Sequence, residues 1–148
     1  LARLSRPQKQ TFDLMKTLVQ LQELYQFSLR SQDETLMFSG DESQIEQLLI
    51  NLLKNAQQAC SNQTTTQPTE VSIASQQGQL RITVRDFGTG MPVDILPKAF
   101  LPYYSTKADG SGIGLSICRE ISDGHQGQIT LNNHAQGGLQ VEVLLPLG

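Results

Sequence analysis

The sequence predicts an α+β fold in which a layer of helices lies on one sheet. Its length of 148 residues suits one compact domain with a substantial core. Three segments carry apolar residues at helical spacing, whereas other segments alternate apolar and polar residues as strands do. These segments follow one another as helix, strand, helix, hairpin, glycine loop, helix and hairpin, without an internal repeat. That order is typical of a single α+β domain.

Two helices and a short strand are predicted in the first half of the chain. Apolar residues recur at helical spacing between positions 11 and 29, which predicts a first amphipathic helix over 11–29. Residues 35–38 are a short strand candidate. Asp41 then offers the side chain of an N-cap, and the periodic residues after it predict a second helix that ends near Cys60.

Two hairpins with a helix between them are predicted in the second half. After a polar loop over 61–69, residues 70–75 and 79–86 alternate around a glycine-containing turn and predict the first hairpin. A third helix is predicted from near Gly112 to Ser122. The second hairpin comprises strands over 128–132 and 139–145, which flank a turn in the sequence HAQGG.

Composition excludes several classes of protein. Eleven Lys and Arg residues stand against 14 Asp and Glu residues, so the chain lacks the basic stripe of a nucleic-acid-binding protein. Its two cysteines are far apart and belong to no Cys/His cluster, which argues against zinc and against a disulfide framework. No run approaches the roughly 18 apolar residues that cross a bilayer. The chain starts without Met or a signal-peptide pattern, so we expect a cytoplasmic domain of a longer protein, without membrane contact of its own.

Asp86 begins the triplet Asp-Phe-Gly, which holds magnesium in eukaryotic-type protein kinases. Those kinases also need a glycine-rich loop, a strand lysine and an H-R-D motif upstream, and none precedes Asp86 here. Asp86 is instead predicted to end a strand, followed by Gly88 and Gly90, which let a ligand approach the backbone closely. A buried carboxylate there is suited to accept a hydrogen bond from an exocyclic amine. An acidic glycine turn without a ligand is the alternative for this motif taken alone.

A second glycine run, GSGIGL at 110–115, precedes the third predicted helix. The free N–H groups and the dipole of a helix N-terminus attract anions such as phosphates, and Lys107 could neutralise one of them. The run departs from the dinucleotide-binding fingerprint and has no Walker A lysine. Taken alone, it is equally consistent with a flexible loop.

Asn51 and Asn55 are one helical turn apart, so their amides lie on one face of the second predicted helix. A solvated helix face is one reading of this pair. The other is a ligand role, because an amide oxygen is a neutral ligand for Mg²⁺, which needs few protein ligands when phosphates supply the rest.

The ordered combination of these motifs carries more information than any one of them. NLLKNA at 51–56, DFGTGMP at 86–92, FLPYYSTK at 100–107 and GSGIGL at 110–115 resemble, box by box, the catalytic ATP-binding domain of bacterial sensor histidine kinases. The resemblance extends over residues 11–147, and the short segment between positions 92 and 110 is similar to the lids of the nitrogen-regulator type. It implies the two-layer α/β sandwich (Bergerat-type) shared with gyrase, mismatch-repair and chaperone ATPases, with a mixed, mainly antiparallel sheet covered on one face by helices.

The resemblance also implies roles for individual residues toward ATP and Mg²⁺. Asn55 would coordinate Mg²⁺, Asn51 would lie beside the phosphates, and Asp86 would bind the adenine amino group. The other ATP-binding residues implied are Gly88, Gly90 and Met91 at the adenine, Gly110, Gly112, Gly114 and Leu115 at the phosphates, Phe100, Thr106 and Lys107 in the lid, and Gln58.

Some positions depart from the family pattern. Gln58 and Ala59 stand where many sensor kinases have a basic residue and then an aromatic one, and Leu139 stands where a hydroxyl residue is common. The related ATPases carry a glutamate at the place of Asn51 to activate water. Since an amide cannot act as a general base, the resemblance favours phosphoryl transfer over hydrolysis.

No acceptor histidine is predicted in this chain. Neither His125 nor His134 stands in an H-E-x-x-x-P motif, and His125 is expected to have a structural role in a turn. The resemblance therefore implies a linker over residues 1–10, a catalytic domain over 11–148, a separate dimerisation and phosphoacceptor domain, and a response-regulator receiver domain downstream. Whether the parent protein is anchored in the inner membrane is left open. An anti-sigma-type serine kinase and a non-catalytic nucleotide-sensing or docking module are the two alternatives.

Overall fold

The computed structural model describes residues 4–60, 67–101 and 114–147, without the side chain of Cys60. Seven strands and three α-helices lie in these ranges, with a short 3₁₀ helix at Leu96–Lys98. In chain order the elements are β1 Gln10–Asp13, α1 Leu14–Gln22, β2 Phe27–Ser31, β3 Met37–Gly40, α2 Glu42–Cys60, β4 Thr69–Gln76, β5 Gln79–Arg85, α3 Gly114–Gly124, β6 Gln128–Asn133 and β7 Leu139–Pro146.

Five strands form the main sheet in the order β2-β4-β5-β7-β6, and β1 pairs with β3 in a separate two-stranded sheet. Only the β2–β4 pair of the main sheet is parallel. The register places apolar residues side by side, so that Val71, Val84 and Val141 form one row across three strands. All three are buried, whereas their neighbours along each strand are at least partly exposed. One face of the sheet is therefore apolar and the other polar.

The helices cover the apolar face. α2 buries its apolar stripe, and α3 buries Cys118 and Ile121 beside it. α2 packs against β4 and β5, and α3 packs against α2, β6 and β7. The predicted fold, a mixed and mainly antiparallel sheet covered on one face by helices, is confirmed. The buried residues of α2 are Ile45, Leu48, Leu49, Leu52, Leu53 and Ala56.

The predicted first helix over 11–29 is wrong at both ends. Its first residues belong to β1. Asp13 is the N-cap of α1, since its carboxylate accepts a hydrogen bond from the Met15 N–H at 3.1 Å, and the helix therefore begins at Leu14. At the other end, the Leu24 N–H and the Tyr25 N–H both donate to the Leu21 carbonyl, and the helix stops. Pairing with β4 then draws the following apolar residues into strand β2.

The short strand predicted over 35–38 lies two residues later, as β3. Both backbone groups of Leu36 bond to the start of α1: its N–H donates to Asp13 Oδ1 at 3.0 Å, and its carbonyl accepts from the Leu14 N–H at 2.8 Å. The strand can pair with β1 only after this residue. Phe38 then packs edge-on against Phe12, with ring centroids 5.9 Å apart.

The other predicted elements are confirmed within one or two residues. Asp41 caps α2 by accepting the Gln44 N–H at Oδ1, 3.1 Å away. The first hairpin turns at Gln77 and Gly78, both with positive φ, which suits a two-residue turn between twisted strands. The structure describes α3 from Gly114 onward, so the predicted start near Gly112 lies outside the described residues.

The segment 4–9 lies against the start of α2 before the chain enters β1. The Gln8 N–H donates to Asp41 Oδ2 at 2.9 Å, and Gln44 Nε2 donates to the Ser5 carbonyl at 2.9 Å. The same Asp41 side chain thus caps α2 and holds the N-terminal segment. No α-helix in the described ranges is long and apolar enough to span a membrane.

Candidate functional site

Asp86 follows the last residue of β5 and is 4% exposed. Its N–H donates to the Leu139 carbonyl at 3.0 Å, and the Leu139 N–H donates back to Asp86 Oδ1 at 3.1 Å. The Gly88 N–H donates to the same Oδ1 at 3.0 Å. Oδ2 receives no hydrogen bond from another described residue. The carboxylate is therefore fixed through one oxygen, as a strand-end acceptor of the kind that the sequence predicts.

The loop after Asp86 lies directly on the end of α2. A Cβ added to Gly88 would lie 2.5 Å from the Ala59 carbonyl oxygen, a distance that only glycine permits. This contact places the Asp86 loop next to the last turns of α2, which carry Asn55 and Gln58. Two segments that the sequence analysis assigned to one site are thus adjacent in the structure.

Asn51 and Asn55 lie on the side of α2 that faces α3. The Asn51 side chain lies beside the Cys118 thiol of α3 and lowers the pKa of that thiol. Asn55 Nδ2 lies 3.9 Å from the position of a Cβ on Gly114, the first residue of α3. Both asparagines are half-buried. The pair therefore lines the junction between two helices rather than a solvated face.

The described part of α3 begins at Gly114, beside Asn55, and the N-terminal end of a helix carries the positive end of its dipole. Leu115, the second residue of α3, is half-buried and packs against the core. The remaining predicted phosphate and lid residues lie outside the described residues: Thr106, Lys107, Gly110 and Gly112.

Of the three predicted lid residues, Phe100 lies within the described residues. Its ring lies 5.7 Å from the guanidinium carbon of Arg119, an exposed residue of α3. This cation–π contact brings the segment after the 3₁₀ helix onto α3. Sequence reasoning missed Arg119, because no motif marks it and only the folded chain places it beside Phe100.

Burial raises the pKa of the Cys118 thiol to about 12, against a partial lowering by the Asn51 side chain and by a backbone hydrogen bond. The thiol also lies 3.7 Å from the Leu48 carbonyl of α2. A thiol with so high a pKa is neither a nucleophile nor a metal ligand at neutral pH. Cys118 is thus a buried and unreactive cysteine.

The two histidines differ in environment. His125 is 2% exposed, and its Nε2 accepts the Asp41 N–H at 3.0 Å. Its proton therefore lies on Nδ1, which donates to the Ile121 carbonyl at 2.9 Å. Both ring nitrogens are engaged, so the expected structural role of His125 is confirmed. His134 is only partly buried and accepts the Gln136 N–H at Nδ1, 3.1 Å away.

The predicted site does not coincide with the open depression on α2. That depression is lined by residues nearer the start of the helix, and none of them is a predicted site residue. The geometry of Asp86, Asn55 and the α3 N-terminus points to the other end of α2. The lining residues of the depression are Glu42, Ser43, Glu46, Gln47 and Ile50.

Comparison with known proteins gives consistent results. Residues 40–148 match the family described as histidine kinase-, DNA gyrase B- and HSP90-like ATPase. Sporulation kinase C of Bacillus subtilis (strain 168) is 37% identical over 111 residues, which are 75% of this chain and 25% of that protein. Sensor protein FixL of Bradyrhizobium diazoefficiens is 29% identical over 148 residues, covering 94% of this chain and 29% of that protein. The chain thus spans about a quarter of the length of these relatives.

A solved structure extends the likeness to the fold. The catalytic domain of histidine kinase ThkA, in a nucleotide-free form, superimposes with a TM-score of 0.82 at 27% identity. The superposition covers 95% of this chain and 96% of that domain.

Proposed function

Since the chain belongs to the histidine kinase-, DNA gyrase B- and HSP90-like ATPase family, we propose that it binds Mg²⁺-ATP and transfers the γ-phosphoryl group to a histidine on another domain. It would do so as the cytoplasmic catalytic domain of a sensor kinase in two-component signalling. The observation that carries the proposal is the buried Asp86 carboxylate, held through Oδ1 and free of described partners at Oδ2.

Asp86 supplies base recognition in this proposal. An exocyclic amino group on the ligand can donate to Oδ2 without disturbing the two N–H bonds at Oδ1. A guanine base presents a carbonyl oxygen at the corresponding place, and two acceptors facing each other repel. The carboxylate therefore favours adenine over guanine.

The phosphates would lie at the junction of α2 and α3. The N-terminal end of α3 offers a positive dipole end to an anion. Asn55 adjoins this end of the helix and provides a neutral amide oxygen, which fits a cation that takes its other ligands from phosphate and water. When bound, Mg²⁺ supplies charge neutralisation to the phosphates. Asn55 would hold the ion, and Asn51 would line the same helix junction.

Phosphoryl transfer is favoured over hydrolysis because of the residue at position 51. The Asn51 side chain is a neutral amide, which cannot remove a proton from water. The bound nucleotide would keep its γ-phosphoryl group until an acceptor docks. Positioning of the acceptor next to the γ-phosphoryl group would then lower most of the activation barrier to transfer.

The acceptor belongs to a separate dimerisation and phosphoacceptor domain in this proposal. His125 has both ring nitrogens engaged inside the fold, so it cannot reach a nucleotide. Residues 1–10 would be the linker to that domain and 11–148 the catalytic domain. The phosphoryl group would pass from the histidine to the receiver domain of a response regulator.

Binding and transfer can be tested separately. Calorimetry should show ATP binding that falls when EDTA removes Mg²⁺, and much weaker binding of GTP. The chain alone with radiolabelled ATP should neither label itself nor hydrolyse ATP quickly, and the phosphoacceptor domain of the parent protein should restore transfer. Acid-labile phosphate on the isolated chain would contradict the placement of the acceptor. Phosphoserine on the partner would assign the chain to the serine kinases.

A further inference from the structure

Asn133, the last residue of β6, holds a residue that lies 42 positions away in sequence. Its Oδ1 accepts the Met91 N–H at 2.8 Å, and its Nδ2 donates to the Met91 carbonyl at 2.7 Å. One side-chain amide thus engages both backbone groups of Met91. An amide side chain can form such a pair because it carries a donor beside an acceptor.

The backbone before Met91 is shaped to fit this contact. Gly90 has φ of +79°, which residues with a Cβ rarely adopt. A Cβ on Gly90 would also lie 2.6 Å from Asn133 Oδ1. Position 90 therefore requires glycine because the Asn133 amide sits against it.

The loop 86–91 is consequently anchored at both ends to the β6–β7 hairpin. At its start, Asp86 exchanges hydrogen bonds with Leu139, the first residue of β7. At its end, Met91 is held by Asn133, which pairs with Leu139 in the sheet register. The two anchors are thus neighbours on the hairpin, and the glycines lie between them.

We propose that Asn133 is a positioning residue for base recognition, an inference that rests on the proposed ATP binding at Asp86. By fixing the Met91 backbone, Asn133 determines the conformation of the loop 86–91. It therefore determines the shape of the surface that this loop presents to the base. Asn133 acts through the Met91 backbone and needs no contact with the nucleotide. Loss of the amide would free the end of the loop while the Asp86 anchor stays in place.

The test compares Asn133→Ala with Asn132→Ala, a matched control on the same strand. Asn132 is also exposed, and alternation along the strand points its side chain to the opposite face. We expect ATP to bind Asn133→Ala about three- to tenfold more weakly, because two exposed hydrogen bonds are lost. ATP affinity of Asn132→Ala should stay within about twofold of wild type.

Amide exchange separates a local positioning role from a general loss of stability, because a general loss would accelerate exchange at both Met91 and Gly88. In Asn133→Ala the Met91 N–H should exchange faster with solvent, whereas the Gly88 N–H, bonded to Asp86, should keep its wild-type rate. Asn133→Asp keeps the acceptor for the Met91 N–H but sets a carboxylate oxygen against the Met91 carbonyl oxygen, so its ATP affinity should fall at least as far as that of Asn133→Ala. If Asn133→Ala does not fold, ATP binding by Asn133→Asp tests the inference instead.

Wild-type ATP affinity in both Asn133 variants would overturn the inference. So would equal acceleration of exchange at Met91 and Gly88, because that result would indicate a general loss of stability. Absence of ATP binding by the wild-type chain would instead refute the proposed function, and the slow exchange of the Met91 N–H would show that the contact itself exists.

Discussion

At the scale of single residues, Asp86 can be altered in one atom without changing its shape. In Asp86→Asn the Oδ1 atom can keep the bonds from Gly88 and Leu139, and an NH₂ group takes the place of Oδ2. This group would face the adenine amino group as a second donor. We expect ATP to bind at least about tenfold more weakly, while the free energy of unfolding changes by less than about 1 kcal/mol.

Calorimetry with ATP and urea unfolding measure the two effects of Asp86→Asn. Asp123→Asn is the matched control, because Asp123 is exposed near the C-terminal end of α3 and belongs to no predicted site segment. Its ATP affinity should equal that of wild type. Equal affinity of Asp86→Asn and wild type would refute base recognition by Asp86.

Cys118 should make stability depend on alkaline pH. Its pKa is about 12 in the folded chain and 9.0 as a reference value, so the folded state retains the proton longer. Stability is therefore complete below pH 9 and falls as pH rises toward 12. Between pH 9 and 10 the wild type should lose about 1 kcal/mol more than Cys118→Ala, as measured by urea unfolding. Parallel losses in the two proteins would contradict this assignment.

Sequence reasoning succeeded for residues whose neighbours are local. Asn51 and Asn55 share a helix face because of their spacing, and Asp86 is identified by the strand before it and the glycines after it. The contact of Asn133 with Met91 joins two distant segments and leaves no local pattern. Arg119 was missed for the same reason.

At the scale of elements, Asp13 decides where α1 begins. Its Oδ1 accepts the Met15 N–H and the Leu36 N–H, so one carboxylate caps the helix and holds the approach to β3. Asp13→Ala should destabilise the chain by about 1–2 kcal/mol in urea unfolding. Asp33→Ala, at an exposed position, is the control and should change stability by less than about 0.5 kcal/mol. Equal stability of the two variants would show that the cap contributes little.

The error in the first predicted helix has its cause at the same scale. The predicted helix extended to position 29, but residues 27–31 instead complete the sheet beside β4. The strand must pair with a segment that begins 42 positions after Phe27, on the far side of α2. Local periodicity carries no information about such a partner. The two hairpins were predicted correctly because each strand pairs with its neighbour in sequence.

At the scale of the whole molecule, His125 connects parts that are far apart in the chain. It joins the end of α3 to Asp41, which caps α2 and holds the segment 4–9. Its ring also stacks near Phe38, with centroids 6.3 Å apart. Removal of this ring leaves a cavity and an unpaired Asp41 N–H.

His125→Ala should therefore lower the free energy of unfolding by about 2–4 kcal/mol. His134→Ala should change it by less than about 0.5 kcal/mol, since that ring is more exposed and makes a local bond. Thermal or urea unfolding measures both. With the phosphoacceptor domain added, transfer by folded His134→Ala should match wild type. A stable His125→Ala variant would show that the connection is dispensable.

The turn at Gln77 and Gly78 offers a fixed reference point for optical measurements of nucleotide binding. It lies at one end of β5 and Asp86 at the other, so the seven-residue strand separates them by roughly 23 Å. The Leu147 N–H, just after β7, donates to the Gly78 carbonyl at 2.9 Å and holds the turn in place. A Cβ on Gly78 would meet no atom within 4 Å. A dye attached at position 77 would thus stand outside the site at a distance suited to energy transfer to a labelled nucleotide, and would report its arrival without touching it.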